Sequence, residues 1–319
     1  MKKKRTSAGR RSCRKTYTAG GIAGSILSLL LLLLLNFPSL LPAGLTGRAE
    51  PAGSDGGSRL TVHYIDVGQG DCALIECDGH YMLIDAGNNH KGAAVEDYLQ
   101  YQGVTTLDYV IGTHPDADHI GGLDVAICSF DCGTIFLPDV ANDTRTYEDV
   151  IRAIDEKNYQ ITDPVAGDTY ALGSASFTII APNRDYGSEL NDWSVGILLQ
   201  NGRNRFLFTG DAGEDAEEDI LENGMDISAD VYQVAHHGSR TGTAEDFLKA
   251  VDPVYAVISA GENNQYGHPA SEVLNRLRTE GVQVFRTDEQ GTIIAVSDGT
   301  DITWNCSPSV TWQAGEASR

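Results

Sequence analysis

Three short apolar runs follow one another after residue 59: Leu60–Val67, Cys72–Cys77 and Tyr81–Ala86, separated by Gly68-Gln69-Gly70-Asp71 and Asp78-Gly79-His80. Short runs split by glycine-containing turns predict a β-meander. The spacing in Val95–Tyr101 is helical, and Leu107–Thr113 reads as a buried strand. A helix is predicted over Thr146–Lys157, then strands over Ala175–Ala181, Val195–Gln200 and Arg205–Thr209. Beyond them the pattern alternates: helix Gly213–Asn223, strand Val231–Ala235, helix Ala244–Val251, strand Val254–Ser259. Helix Ser271–Glu280 and strands Val282–Arg286 and Thr292–Val296 complete it, with no repeat at a fixed short period. Strands first, then alternating helices and strands, suit an α/β domain of two packed sheets with helices outside. One domain is expected over 59–300, followed by a C-terminal tail, 301–319.

The first 58 residues follow another pattern. Residues 1–15 are basic, and Ile22–Leu35 is an apolar run ending in seven leucines. That run is short for a membrane span, which needs about 20 residues. With a small-x-small site at Gly47-Arg48-Ala49, residues 1–49 read as a secretory signal peptide or an uncleaved signal anchor. Either predicts an extracytoplasmic body, secreted or held at the membrane, with the N-terminal segment meeting the membrane or the secretion machinery. Residues 50–58, rich in Gly and Ser, read as a flexible linker.

Composition sharpens this split. Of 319 residues, 41% are hydrophobic and 21% charged, which excludes a disordered chain or a multispan membrane protein. Residues 1–49 carry nine basic groups and no acid, which leaves 14 basic against 45 acidic groups, a net of −31, for the rest. Such a body repels polyanions at long range and excludes an extended basic groove for nucleic acid. The cysteines are Cys13, Cys72, Cys77, Cys128, Cys132 and Cys306, with no CxxC pair. A disulfide involving Cys128 and Cys132 is the pairing to test, and buried apolar packing is the alternative.

The chemistry falls at predicted strand ends. His114, Asp116, Asp118 and His119 lie within six residues, after an apolar strand and before Gly121-Gly122. Such loop residues have no packing reason to converge, and the spacing lets 114 and 116 point one way and 118 and 119 another, enough for two adjacent cations. Asp211 ends Phe206-Leu207-Phe208-Thr209-Gly210, where a carboxylate can place one oxygen on each of two metals. His236-His237 follows another apolar strand, and one of the pair is expected to be a ligand. Asp85 ends the third run and can orient a ligand loop. Asp66 and Asp71 flank the first glycine-rich hairpin and read as turn residues shaping a cleft wall.

Together these residues resemble the metallo-β-lactamase fold superfamily, whose HxHxDH pattern is altered here to His114-x-Asp116-x-Asp118-His119. A narrower resemblance is to the C-terminal hydrolase domain of the competence DNA-uptake protein ComEC. Its phrases here are Asp66-Val67-Gly68-Gln69-Gly70-Asp71, the His114–Gly122 loop, Phe208-Thr209-Gly210-Asp211, His236–Arg240, Tyr266-Gly267-His268-Pro269 and Arg286-Thr287-Asp288. The resemblance implies a four-layer αββα sandwich holding two divalent metal ions. His114, Asp116 and Asp211 would form a first site, and Asp118, His119, Asp211 and His237 a second, with His237 preferred to His236 and Asp85 buttressing the loop. Asn191-Asp192-Trp193-Ser194 stands where the family's remaining histidine would be, so Asn191 and Ser194 are expected beside a weaker first site. The carboxylate-rich set makes manganese competitive with zinc.

The implied reaction is hydrolysis by a bridging hydroxide, with Asp118, His268 and Arg240 as candidates in the catalytic machinery. His268 could contact phosphate, act as a general acid, or simply pack on Pro269; Arg240 could clamp a phosphate or be a solvated surface residue. The resemblance favours a phosphodiesterase or nuclease acting on a small or short phosphodiester, single-stranded DNA included. The alternatives are an acyl hydrolase acting on a lactone or β-lactam, and a non-catalytic metal-binding recognition module.

Overall fold

Apolar alternation and apolar runs resolve into two sheets in the computed structural model, which describes residues 58–315. The signal or anchor segment, Cys13 and the linker up to residue 57 lie outside the described residues, as do 316–319. In chain order come β1 (Leu60–Tyr64), β2 (Ala73–Cys77), β3 (His80–Ile84), α1 (Gly92–Tyr101), β4 (Thr106–Ile111), α2 (Ala117–Ile120), α3 (Leu123–Ser129), β5 (Asp131–Phe136), α4 (Arg145–Lys157), β6 (Ile161–Thr162) and β7 (Thr169–Leu172). Then follow β8 (Ala175–Ala181), β9 (Gly196–Asn201), β10 (Asn204–Phe208), α5 (Glu214–Glu222), β11 (Val231–Gln233), α6 (Glu245–Val251), β12 (Tyr255–Ile258), α7 (Ser271–Thr279), β13 (Gln283–Arg286), α8 (Thr287–Gln290), β14 (Ile293–Ser297) and β15 (Ile302–Trp304).

One sheet has the order β15-β14-β1-β2-β3-β4-β5-β6 and the other β13-β12-β11-β10-β9-β8-β7. Leu60, Val62 and Tyr64 on one face of β1 meet Phe177, Phe206 and Phe208 of the second sheet in the central core. Each of the Leu, Val and Phe side chains among them gains about 1.5–3 kcal/mol by burial. The outer face of the first sheet is covered by Val95, Leu99, Val150 and Ile154 from α1 and α4. The outer face of the second is covered by Ile220, Phe247, Leu248, Val273 and Leu277 from α5, α6 and α7. The result is the four-layer αββα sandwich. Strands covered on both faces read as continuous apolar runs, which is why so many stood out in the sequence.

Residues 301–315 are part of this fold rather than a tail that follows it. β15 pairs with β14, and Trp304 stacks on Phe285 at 4.0 Å. Further on, Arg286 Nη1 donates to the Gln313 carbonyl (2.7 Å) and the Gly315 N–H donates to the Pro269 carbonyl (2.9 Å). The anticipated Cys128–Cys132 bridge is not formed, because Cys132 carries a free thiol. β5 intervenes: it carries Cys132 into the sheet opposite Leu107 of β4, while Cys128 stays on α3.

Glu217 on α5 is 1% exposed and accepts the backbone N–H groups of Thr243 (2.6 Å) and Ala244 (2.8 Å). It thereby ties α5 to the segment leading from His237 into α6. Burial raises its pKa to about 7, against the two backbone donors and Arg276. A folded pKa above the unfolded one means stability present at low pH and lost as pH rises through about 7. In urea titrations with chelator present, wild type should lose about 2–3 kcal/mol relative to Glu217→Gln between pH 5 and 8. Parallel curves for the two proteins would show that Glu217 ionises without cost.

Candidate metal centre

β3, β4 and β5 run parallel in one sheet, and β10, β11, β12 and β13 run parallel in the other. Their carboxyl ends therefore open on one edge, where α/β sheets place ligands. Asp85 follows β3, Thr113-His114 follows β4, Asp211 follows β10, His236-His237 follows β11 and Ser259 follows β12. Asp118 and His119 enter on α2, a helical turn where a loop was expected. Asp85, His236 and His237 all adopt left-handed backbone, at φ 56°, 51° and 56°. Strain of this kind in non-glycine residues persists only where surrounding contacts fix it. The Asp85 N–H is held by the Ile111 carbonyl (2.9 Å) and that of His236 by the Gly210 carbonyl (3.0 Å).

The ring orientations decide the chemistry. His119 Nδ1 lies 2.8 Å from Asp85 Oδ2, and this carboxylate also accepts the Thr113 N–H (2.9 Å) and hydroxyl (2.7 Å). His237 Nδ1 lies 2.9 Å from the Ser259 carbonyl, which can only accept. Both rings thus carry their proton on Nδ1 when neutral and present a lone pair at Nε2. The two Nε2 atoms face each other at 3.3 Å. Asp211 Oδ1 is 3.0 Å from His119 Nε2, while its Oδ2 is 3.6 Å from His237 Nε2, 3.5 Å from His236 Nε2 and 3.9 Å from His114 Nε2. Asp118 Oδ2 is 3.5 Å from His237 Nε2, and Asp116 Oδ2 is 3.7 Å from His114 Nε2.

Lone pairs and carboxylate oxygens converging in a buried space repel unless positive charge lies among them. Protons can supply part of it. Burial opposes charge on His119 and His237, yet Asp211, with Asp85 beside the first and Asp71 beside the second, holds both pKa values well above the ordinary range. Burial likewise opposes charge on Asp211, but His119 and His237 hold its carboxyl well below the usual range. Divalent cations would fill the same need, and the buried Nε2 of His114 has no hydrogen-bond partner among the described residues. The donor set fits a metal.

Ser194 is fully buried; its hydroxyl accepts the Asp211 N–H (3.0 Å) and lies 3.4 Å from His114 Nδ1. Asn191 Nδ2 is 3.4 Å from His236 Nδ1. Both residues thus touch the site in the position where the histidine is missing. His237 is buried and His236 only partly so. The His268 ring lies 5.6 Å from that of His236 and 6.3 Å from that of His237, at the rim. Burial and the two histidines lower its pKa to about 4, which leaves the ring neutral at pH 7. Arg240 is exposed and makes no ion pair among the described residues.

Asp71 is the residue that the sequence reading placed in a turn. It is 4% exposed, with Oδ1 3.2 Å from His237 Nδ1 and Oδ2 accepting from Gln233 Nε2 (2.8 Å). With His119, Asp211 and His237 it forms a buried group whose ligand atoms lie within 4.8 Å of one another. Asp71 approaches His237 from the Nδ1 side, behind the ring, while His119 and Asp211 face Nε2. It stands behind His237 as Asp85 stands behind His119. Gly70 makes this possible: at φ +133° it brings the backbone so close that a Cβ would lie 2.2 Å from the Asp118 carbonyl oxygen. The Asp71 N–H then donates to that same carbonyl (3.2 Å). The one sequence signal was an acid placed directly after such a glycine.

Two sheets with a His/Asp centre at their strand ends define the metallo-β-lactamase fold, and residues 65–164 match the family model described as the metallo-beta-lactamase superfamily. The chain carries a domain of that superfamily, a group of metal-dependent hydrolases. More particularly, it is similar to the ComEC-related competence proteins. ComE operon protein 3 of Bacillus subtilis is 30% identical over 250 residues, covering 73% of this chain and 32% of that protein. Recombination protein 2 of Haemophilus influenzae is 31% identical over 237 residues, covering 73% and 28%. The chain therefore spans about a third of the length of these relatives. Among solved structures, the metallo hydrolase Igni18 of Ignicoccus hospitalis shares the fold, with a TM-score of 0.50 and 18% identity over 73% of this chain and 98% of that one.

Removing the carboxylate charge behind His237 should loosen metal without unfolding the domain. Asp71→Asn is expected to weaken metal affinity about 10- to 100-fold in competition with a chromophoric chelator, with an unchanged circular dichroism spectrum. Wild-type affinity in the variant would remove Asp71 from the support of His237.

Proposed function

We propose that this domain is an extracytoplasmic metal-dependent phosphodiesterase acting on short or single-stranded nucleic acid. The observation that carries the reading is the pair of Nε2 lone pairs facing each other at 3.3 Å beside Asp211. His119, His237, Asp118 and Asp211 would hold one divalent cation, and His114, Asp116 and Asp211 a second. Three aspartates among the ligands favour a hard cation such as manganese alongside zinc. Relatives named for competence and recombination support a nucleic-acid substrate. The basic start and apolar run of residues 1–35 support export.

When bound, such cations lower the pKa of water and polarise a phosphoryl oxygen. The chain's own residues supply the rest. Asp211 turns one oxygen toward His119 and the other toward His114, His236 and His237, an orientation suited to bridging. Asp85 holds the His119 ring and the Ser259 carbonyl holds the His237 ring with Nε2 inward, with the Asp71 carboxylate beside the latter. His268, neutral at the rim, can give a phosphate oxygen a hydrogen bond, and Arg240 is free to approach the same anion. The net charge of −31 outside the first 49 residues works against long duplexes, so capture is local.

The purified protein should hydrolyse bis(p-nitrophenyl) phosphate with manganese or zinc and show little turnover of nitrocefin. Asp211→Asn should lower the rate by a factor of about 10³ or more while retaining the fold. Bound metal with no phosphodiester turnover would sink the enzyme reading. Nitrocefin turnover matching that of the phosphodiester would shift it to acyl hydrolysis.

A further inference from the structure

We infer that Tyr266 is the stacking platform of a nucleobase subsite beside the metal centre, so that the substrate is a base-bearing single strand or dinucleotide. This rests on the phosphodiesterase reading above and names what flanks the phosphate. Among the described residues, Tyr266 is one of six large apolar side chains left exposed, at 56%. It is the one of the six whose ring touches a residue of the site: it stacks on His268 at 5.6 Å and 23°. From His268 one further ring-to-ring step of 6.3 Å reaches His237. A base lying on Tyr266 would belong to a nucleotide about one or two positions from the phosphate at the metals.

The platform is held by the chain's own hydrogen bonds. Asn264 Oδ1 accepts the N–H groups of Tyr266 (3.1 Å) and His268 (3.0 Å). Its Nδ2 donates to the carbonyls of Gly261 (2.9 Å) and His268 (2.6 Å), so both ends of the short loop share one anchor. A ring fixed in this way loses little freedom on binding. Stacking also suits this molecule's electrostatics. The acidic body gives no basic track for a phosphate backbone, whereas attraction between a base and an aromatic face does not depend on net charge.

The test is anisotropy titration of the manganese-loaded full chain with two labelled phosphorothioate tetranucleotides, one of thymidines and one abasic. Wild type should bind the thymidine strand about tenfold more tightly. Tyr266→Ala should abolish that preference and Tyr266→Phe should keep it. An effect transmitted through His268 would instead weaken both strands equally and overturn the platform. So would the absence of any preference in wild type, or its survival in Tyr266→Ala. A Tyr266-dependent preference in a protein that hydrolyses no phosphodiester would uphold the subsite and defeat the phosphodiesterase reading. Phosphodiester turnover without base preference would do the reverse.

Discussion

The rest of the site depends on two imidazoles forced to face each other across one carboxylate. His119 sits on α2 beyond β4 of one sheet and His237 just beyond β11 of the other, and neither can turn away, because each has its other nitrogen committed to an acceptor behind it. The residues surrounding them are buried: Asp71, Asp85, His114 and Asp211. Unpaired charge so far from water would cost several kcal/mol per group. The arrangement is therefore stable only with cations or protons among the ligands. Much of the surrounding structure keeps that repulsive geometry from relaxing.

Strand polarity does the first part of that work. Because β3 to β5 and β10 to β13 run parallel within their sheets, the chain leaves each strand on the same edge. The exits of β3, β4, β10 and β11 deliver Asp85, His114, Asp211 and His237 to a common point. Left-handed backbone at Asp85, His236 and His237 turns those side chains inward. The hydrophobic layers on both faces of each sheet, and the buried Glu217 beneath the Thr243–Ala244 backbone, hold the exits in register.

Much of this was legible in the sequence because it is local. Continuous apolar strands followed at once by His or Asp gave the positions of His114, Asp211 and His237, and the strand at Ala175–Ala181 matches residue for residue. What was illegible depends on distant partners. Asp71 looks like a turn acid until the fold carries Gln233 and His237 to it from another sheet. β7 and β15 are four and three residues long and gain their identity from hairpin neighbours, so neither has a pattern of its own. Residues 305–315 are polar along much of their length and are fixed by backbone contacts to β13 and to the His268-Pro269 loop, which leave no periodicity.

The pairing of β1 with β14, Leu60 against Ser297, sets when the domain can become whole. This interior strand acquires one neighbour from the adjacent hairpin and the other only from β14, far along the sequence. Contacts between such distant segments form late, after most of the entropy of loop closure has been overcome. Until then β1 presents an open edge ready to accept a foreign strand. A partly folded chain would thus hold residues 85 to 237 without yet having the loop that carries Tyr266 and His268 fastened by Gly315. Closure of the rim around the His/Asp centre thus waits on β14 and on residues 305–315, segments remote in sequence from the strands that carry the centre itself.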